Sequence, residues 1–276
     1  MLTAGGNFLT TLRESINMRK FVLPLALAAV SASLSAPAIA QQAAATPPPP
    51  PVTGNITLAS EYRFRGIDQT YGNPAIQGGV DYAHASGFYL GNWNSNVSQG
   101  AGYPGGNIEM DFYGSYKHAF GDFGLDVGYI YYAYPGTDPK VNNKELYVGG
   151  SWKFLSAKYF YATDDYFSVK SPTGQSTKGT TYLDLAANYD LGNGWGVNAH
   201  YGHTNFKHIS QGSYSDWKIG GTKDLAGWLV SAAYVGTNAK GSCSTPAEFY
   251  CFPNTNGTKV RDAGRSTIVL SVGKTF

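Results

Sequence analysis

The stretch Ile108-Glu109-Met110-Asp111-Phe112-Tyr113-Gly114-Ser115-Tyr116-Lys117 decides the fold class. Ile108, Met110, Phe112, Gly114 and Tyr116 fall on one side, and Glu109, Asp111, Tyr113, Ser115 and Lys117 on the other. A period of two is the mark of a β-strand whose faces meet different surroundings. Towards the N-terminus the pattern returns twice. Ile76, Gly78, Val80 and Tyr82 oppose Gln77, Gly79 and Asp81; Ile56, Leu58, Ser60, Tyr62 and Phe64 oppose Thr57, Glu61, Arg63 and Arg65. Towards the C-terminus it returns at Phe123–Tyr132, Glu145–Lys153, Ala157–Tyr161, Leu183–Tyr189, Trp195–Tyr201, Asp216–Ile219 and Thr267–Phe276. Phe88–Asn96 alternates weakly, and Gly227–Thr237 is apolar on both faces with no clear phase. About twelve strands are expected over residues 54–276.

The connections carry a second signal. Linkers around His84–Gly87, Ala119–Asp122, Leu155–Ser156, Asp190–Gly194 and Lys223–Ala226 are short. Those at Gly66–Pro74, Val97–Asn107, Tyr134–Lys144, Asp164–Gly179, Asn205–Ser213 and Asn238–Gly264 are longer, and the two kinds alternate. Turns at one end and loops at the other are the habit of transmembrane antiparallel β-barrels, with periplasmic turns and extracellular loops. Greek-key crossovers in a sandwich would not sort linkers this way.

Composition agrees. Of 276 residues only 14% are charged while 35 are glycine and 21 tyrosine, with a mean hydropathy of −0.24. An average soluble domain carries about 25% charged residues. Helical membrane proteins need repeated apolar runs of about 20 residues, and disordered chains lack aromatics, so both classes are excluded. No basic stripe points to nucleic acid.

The one sustained apolar run is N-terminal. Arg19 and Lys20, the core Phe21–Val30 and the small-residue site Ala38-Ile39-Ala40 read as a secretory signal peptide with Met18 as its start and cleavage after Ala40. Residues 1–17 read as an upstream extension. Losing Arg13, Arg19, Lys20 and Glu14 takes 20 basic and 18 acidic residues to 17 of each, so the mature chain is neutral. Residues 41–53, with five prolines at Pro47–Pro51, read as a stiff periplasmic spacer before the barrel at 54–276.

Alternation alone does not say whether the apolar face looks at a core or at lipid. Three features favour lipid. Those faces carry one charge, Lys274, near the chain end, where a charge costs little. Aromatics gather at the face ends, at Tyr62, Phe64, Tyr82, Tyr116, Phe123, Trp152, Tyr189, Trp195 and Tyr201, as interfacial girdles do. The last strand ends in Phe276, which resembles the signal read by the barrel-assembly machinery of bacterial outer membranes.

Several stretches are similar to the TorF family of proteobacterial porins: Ser60-Glu61-Tyr62-Arg63-Phe64-Arg65-Gly66-Ile67-Asp68-Gln69, Pro74–Tyr82, Ser86–Gly91, Tyr134-Pro135-Gly136, Glu145–Gly149 and Asp164–Phe167. The resemblance spans nearly all of 54–276. It implies an outer-membrane barrel serving as a channel in a Gram-negative bacterium. It implies no reaction, no settled cargo and no binding residue.

The expected lumen charges are Glu61, Arg63, Arg65, Asp81, Glu109, Asp111, Lys117, Asp126, Glu145, Lys153, Lys158, Asp184, Asp216 and Lys218. Charges of both signs fit a wet pore for small hydrophilic solutes or ions; they also fit a sealed network in a barrel that serves as anchor or loop display. Tyr113, Tyr132, Tyr147 and Phe160 would close the bore if they lie together, and a long loop such as 164–179 or 238–264 could fold inward. His200 and His203 lie on opposite strand faces and share no metal; no Ser is singled out beside a His, so neither an enzyme nor a cofactor is expected. Cys243 and Cys251 should form a disulfide within the longest loop.

Overall fold

Ile76 and Val80 stand 64% and 56% exposed, while Gln77 between them is 2% exposed. That inversion, apolar outside and polar inside, runs around the whole molecule. The computed structural model describes residues 51–239, 241, 243 and 248–276, so the signal peptide and spacer expected from the sequence lie, up to residue 50, outside the described residues.

Twelve antiparallel strands close into one barrel: β1 (Val52–Ala59), β4 (Ala75–Ala83), β5 (Phe88–Asn96), β6 (Ile108–Phe120), β7 (Phe123–Ala133), β8 (Asn143–Trp152), β9 (Leu155–Ala162), β10 (Thr181–Gly192), β11 (Trp195–Asn205), β12 (Tyr214–Leu225), β13 (Trp228–Thr237) and β16 (Thr267–Thr275). Each pairs with its neighbour in order, and β16 closes on β1 from Asn55↔Thr275 to Ala59↔Ser271. Gly54 and Phe276 exchange backbone hydrogen bonds of 2.8 and 2.9 Å at the end of that seam. Two small hairpins lie off the wall: β2 (Arg63–Phe64) with β3 (Ile67–Asp68), and β14 (Cys251–Pro253) with β15 (Val260–Asp262).

The sorting of linkers stands as expected. One rim carries the turns at 84–87, 121–122, 153–154, 193–194 and 226–227; the other carries loops 60–74, 97–107, 134–142, 163–180, 206–213 and 238–266. β13, unphased in the sequence, turns Trp228, Val230 and Tyr234 outward and Leu229, Ser231 and Val235 inward. Its inward Val235 and Val269 of β16 pack with an interior aromatic cluster, which is why apolar residues occur on both its faces.

Two expectations are corrected. Tyr62 and Phe64 are not part of an outer girdle: β1 stops at Ala59, the chain turns inward, and the two rings are 0% and 6% exposed inside the barrel. Lys153 does not face the lumen. It is exposed in the β8–β9 turn with φ +53, its ammonium 4.9 Å from the Trp152 ring centroid.

Candidate pore and its internal hairpin

After Ala59 the chain leaves the wall, and the Ser60 amide donates to the Leu270 carbonyl at 2.8 Å. Arg63 then pairs with Asp68 and Phe64 with Ile67 across a two-residue turn, Arg65-Gly66. Both turn residues have positive φ, +48 and +78, the requirement of a tight hairpin turn. Gly66 fits there and lies against the wall; a Cβ on it would meet Asp216 Cβ at 2.8 Å. A left-handed arginine costs about 1–2 kcal/mol, so Arg65 must be held.

Glu145 of β8 holds it. Arg65 donates from Nη1 and Nη2 to the two Glu145 oxygens at 2.9 and 2.7 Å, and Nη1 also reaches Tyr166 Oη at 2.8 Å. Tyr132 donates to the same carboxylate at 3.1 Å. The guanidinium lies over Tyr182 at 4.1 Å and Phe160 at 5.0 Å. A forked Arg–carboxylate pair with aromatic faces around it is strong and directional.

Loop 238–266 holds the hairpin from the rim. Arg63 donates to the Ala263 and Arg265 carbonyls at 2.9 and 3.1 Å and to Glu61 at 3.1 Å. Arg265 reaches the other Glu61 oxygen at 2.6 Å, and Arg261 and Arg265 stand 3.5 and 3.6 Å from Asp68. The Asp68 amide donates to Ala263 at 2.9 Å. In this same loop Cys243 and Cys251 form the expected disulfide. Loop 163–180 adds Phe167, which packs on Phe64 at 5.8 Å between ring centroids.

Tyr113, Tyr132, Tyr147 and Phe160 do lie together. They form one buried cluster with Tyr62, Phe64, Tyr89 and Tyr182. The inward segment is loop 60–74 rather than 164–179 or 238–264, both of which pack over it.

Further charges run along the wall, from Asp81 and Asp126 near the turn rim to Asp184 and Asp216 near the loops. Asp81 on β4 accepts from Tyr89 and Tyr113 at 2.6 Å each, and the Lys117 ammonium sits 3.6 Å from the Tyr89 ring centroid. Asp126 on β7 receives Lys158 of β9 at 2.8 Å. That bond crosses β8 at Gly149, where a Cβ would lie 2.6 Å from Lys158 Cγ. His200 on β11 places Nδ1 3.1 Å from Asp184 and Nε2 2.7 Å from Asp216. Tyr182 reaches Asp216 across β11 at Gly202, where only glycine leaves it room. Asn188, Asn198, Thr222 and Leu229 line a recess of about 20 Å³, room for one water.

Of the fourteen expected lumen charges, the structure therefore turns ten inward from the wall: Asp81, Glu109, Asp111, Lys117, Asp126, Glu145, Lys158, Asp184, Asp216 and Lys218. Glu61, Arg63 and Arg65 are inside but ride on the hairpin, and Lys153 is outside. Sequence reasoning missed Asp68, Arg261 and Arg265, whose pairing joins positions almost 200 apart. For the hairpin, Gly66 after a charged run was the one local signal.

A family model described as "Bacterial protein of unknown function (Gcw_chp)" matches residues 42–276. The chain belongs to the Gcw_chp family. No curated protein matches it. Among solved structures, this Gcw_chp barrel is similar to one titled "KdgM porin", with 12% identity over 81% of this chain and 98% of that one at a TM-score of 0.49. A NanC porin structure matches at 9% identity, covering 82% and 98%, with a TM-score of 0.48. OccAB3 of Acinetobacter baumannii matches at 12%, covering 82% and 65%, with a TM-score of 0.40. These likenesses are distant, and the barrel is read from its own strand register. The TorF name stays a resemblance.

Proposed function

We propose that this chain is an outer-membrane, porin-like channel of a Gram-negative bacterium, passing small hydrophilic solutes or ions along a mixed-charge lumen narrowed by the 60–74 hairpin. One observation carries the reading. The outward band of apolar side chains, Ile56 and Leu58 through Leu270, would be unstable in water, while ten wall charges turn in and the outward-facing Lys274 sits at a strand end. A lumen of ten wall charges, with Glu61, Arg63 and Arg65 on the hairpin, would set which ions pass. Phe276, 72% exposed beside Gly54 at the seam, is free to serve the barrel-assembly machinery.

The alternative, a non-conducting barrel that anchors or displays its loops, is favoured by a specific fact: Tyr62, Glu109, Ile130 and Glu145 are all 0% exposed at the level of the hairpin. Single-channel recording of the refolded mature chain in a planar bilayer separates the two. The channel reading expects discrete small steps, and steps several times larger when residues 61–73 are replaced by a short Gly-Ser turn. Silence from the native chain, with or without conduction by the shortened one, would leave the anchor.

A further inference from the structure

Among the described residues, no wall strand turns a carboxylate outward: every strand acid, from Asp81 on β4 to Asp224 on β12, has the inward phase. Three lysines at the turn rim do the reverse. Lys223 on β12 and Lys274 on β16 have the outward phase, and Lys153 stands in the β8–β9 turn.

Each of these ammonium groups lies over an exposed indole. Lys153 is 4.9 Å from the Trp152 ring centroid, Lys223 4.9 Å from Trp195 and Lys274 5.2 Å from Trp228. Strand register makes two of the pairs, Trp195↔Lys223 and Trp228↔Lys274. A cation within about 6 Å of an indole is held by the ring, which orients it without neutralising it. Lys223 gives one proton to the Asn193 carbonyl at 2.6 Å and keeps two. The neighbouring acids do not compensate the charge: Asp190 and Asp224 face the lumen mouth, where they accept from the Gly192 and Gly227 amides at 2.7 and 2.8 Å. The cationic sector runs from β8 round to β16. Elsewhere that rim carries no outward lysine among the described residues; turns 84–87 and 121–122 set His84 and Asp122 between Tyr82, Phe88, Phe120 and Phe123.

At the edge of an apolar band an indole lies at the level of the lipid headgroups. A lysine laid outward beside it meets phosphodiester oxygens, and basic residues at that level attract lipids of net negative charge. A zwitterionic headgroup also brings an ammonium, for which this surface offers no carboxylate. We propose that the turn-rim sector from β8 to β16 selects phospholipids of net negative charge, with Lys153, Lys223 and Lys274 each meeting a headgroup phosphodiester beside its indole. The inference rests on the barrel lying in a bilayer and not on its conducting.

The test uses the mature chain refolded into vesicles of brominated phosphatidylcholine, whose bromines quench the rim tryptophans, with unlabelled phosphatidylglycerol mixed in. Relief of quenching is expected to exceed the phosphatidylglycerol mole fraction at least about twofold, and the excess should shrink in about 1 M salt. The triple variant Lys153→Gln, Lys223→Gln, Lys274→Gln keeps every tryptophan and should bring relief back to the mole fraction. Lys140→Gln, exposed in loop 134–142 at the other rim, should leave it unchanged. Heat-modifiable gel mobility reports folding and flotation with the vesicles reports insertion. Should the triple variant misfold, Lys223→Gln alone should still show a partial loss. Wild-type relief that only follows the mole fraction, or a folded triple variant with undiminished excess, would overturn the site. A folded chain that does not float with the vesicles would overturn the membrane reading as well, which keeps the two failures apart.

Discussion

Glu145 and Arg65 meet near the loop rim with side chains 0% and 5% exposed; Asp126 and Lys158 meet near the turn rim with side chains 16% and 22% exposed. Both are ion pairs inside one barrel, yet their energetics differ. In the loop half the hairpin has displaced water, so each charge depends wholly on its partner. In the turn half the pair lies along the wall and solvent shares the load. The same residue types therefore act as a structural lock in one half and as a wet lining in the other.

The largest expected effect tests that lock. Arg65→Ala leaves Glu145 buried and unpaired, and should lower stability by about 3–5 kcal/mol, measured by urea unfolding of the barrel in detergent micelles. A loss of under about 1 kcal/mol would mean that water already reaches Glu145, erasing the contrast.

Next comes Gly149→Leu. A side chain there collides with Lys158 and should cost about 1–3 kcal/mol, with the Asp126–Lys158 bond broken. Bilayer recordings should show its ion preference shifted in the same direction as in Lys158→Ala. Removing Lys158 itself should be milder, about 1 kcal/mol or less in unfolding, because solvent compensates Asp126.

The smallest effects lie outside the lumen. The Ser176 hydroxyl, and then the Thr177 amide, hold the exposed Asp165 carboxyl below the usual carboxylate range. The order this lends to loop 163–180 is present above the unfolded value of about 3.9 and lost as pH falls through the lower folded value. Protease nicking of that loop should be flat from neutral pH to about 5 and rise only below about 4; in Asp165→Asn it should be raised throughout. Lys153→Ala should leave ion preference unchanged, and a clear shift would show that the turn rim guides ions.

How much could be read beforehand follows from which constraints are local. A wall between two environments imposes period two on most of the strands, so ten of the twelve and the sorted linkers stand out in the sequence, while β5 and β13 are blurred. The hairpin does not stand out, because Ser60, Tyr62 and Phe64 continue the phase of Ile56 and Leu58 without a break. What pulls the chain off the wall is Glu145, 80 residues further on. Likewise Lys153 kept the phase of Trp152's strand on paper, but the two-residue turn at 153–154 takes it out of the sheet.

The seam between β1 and β16 has a consequence of its own. Since Gly54 and Phe276 already bond to each other, the cylinder has no preferred first strand. A chain joined there by a few residues and reopened at 121–122 would present the same wall, hairpin included, from a different starting point.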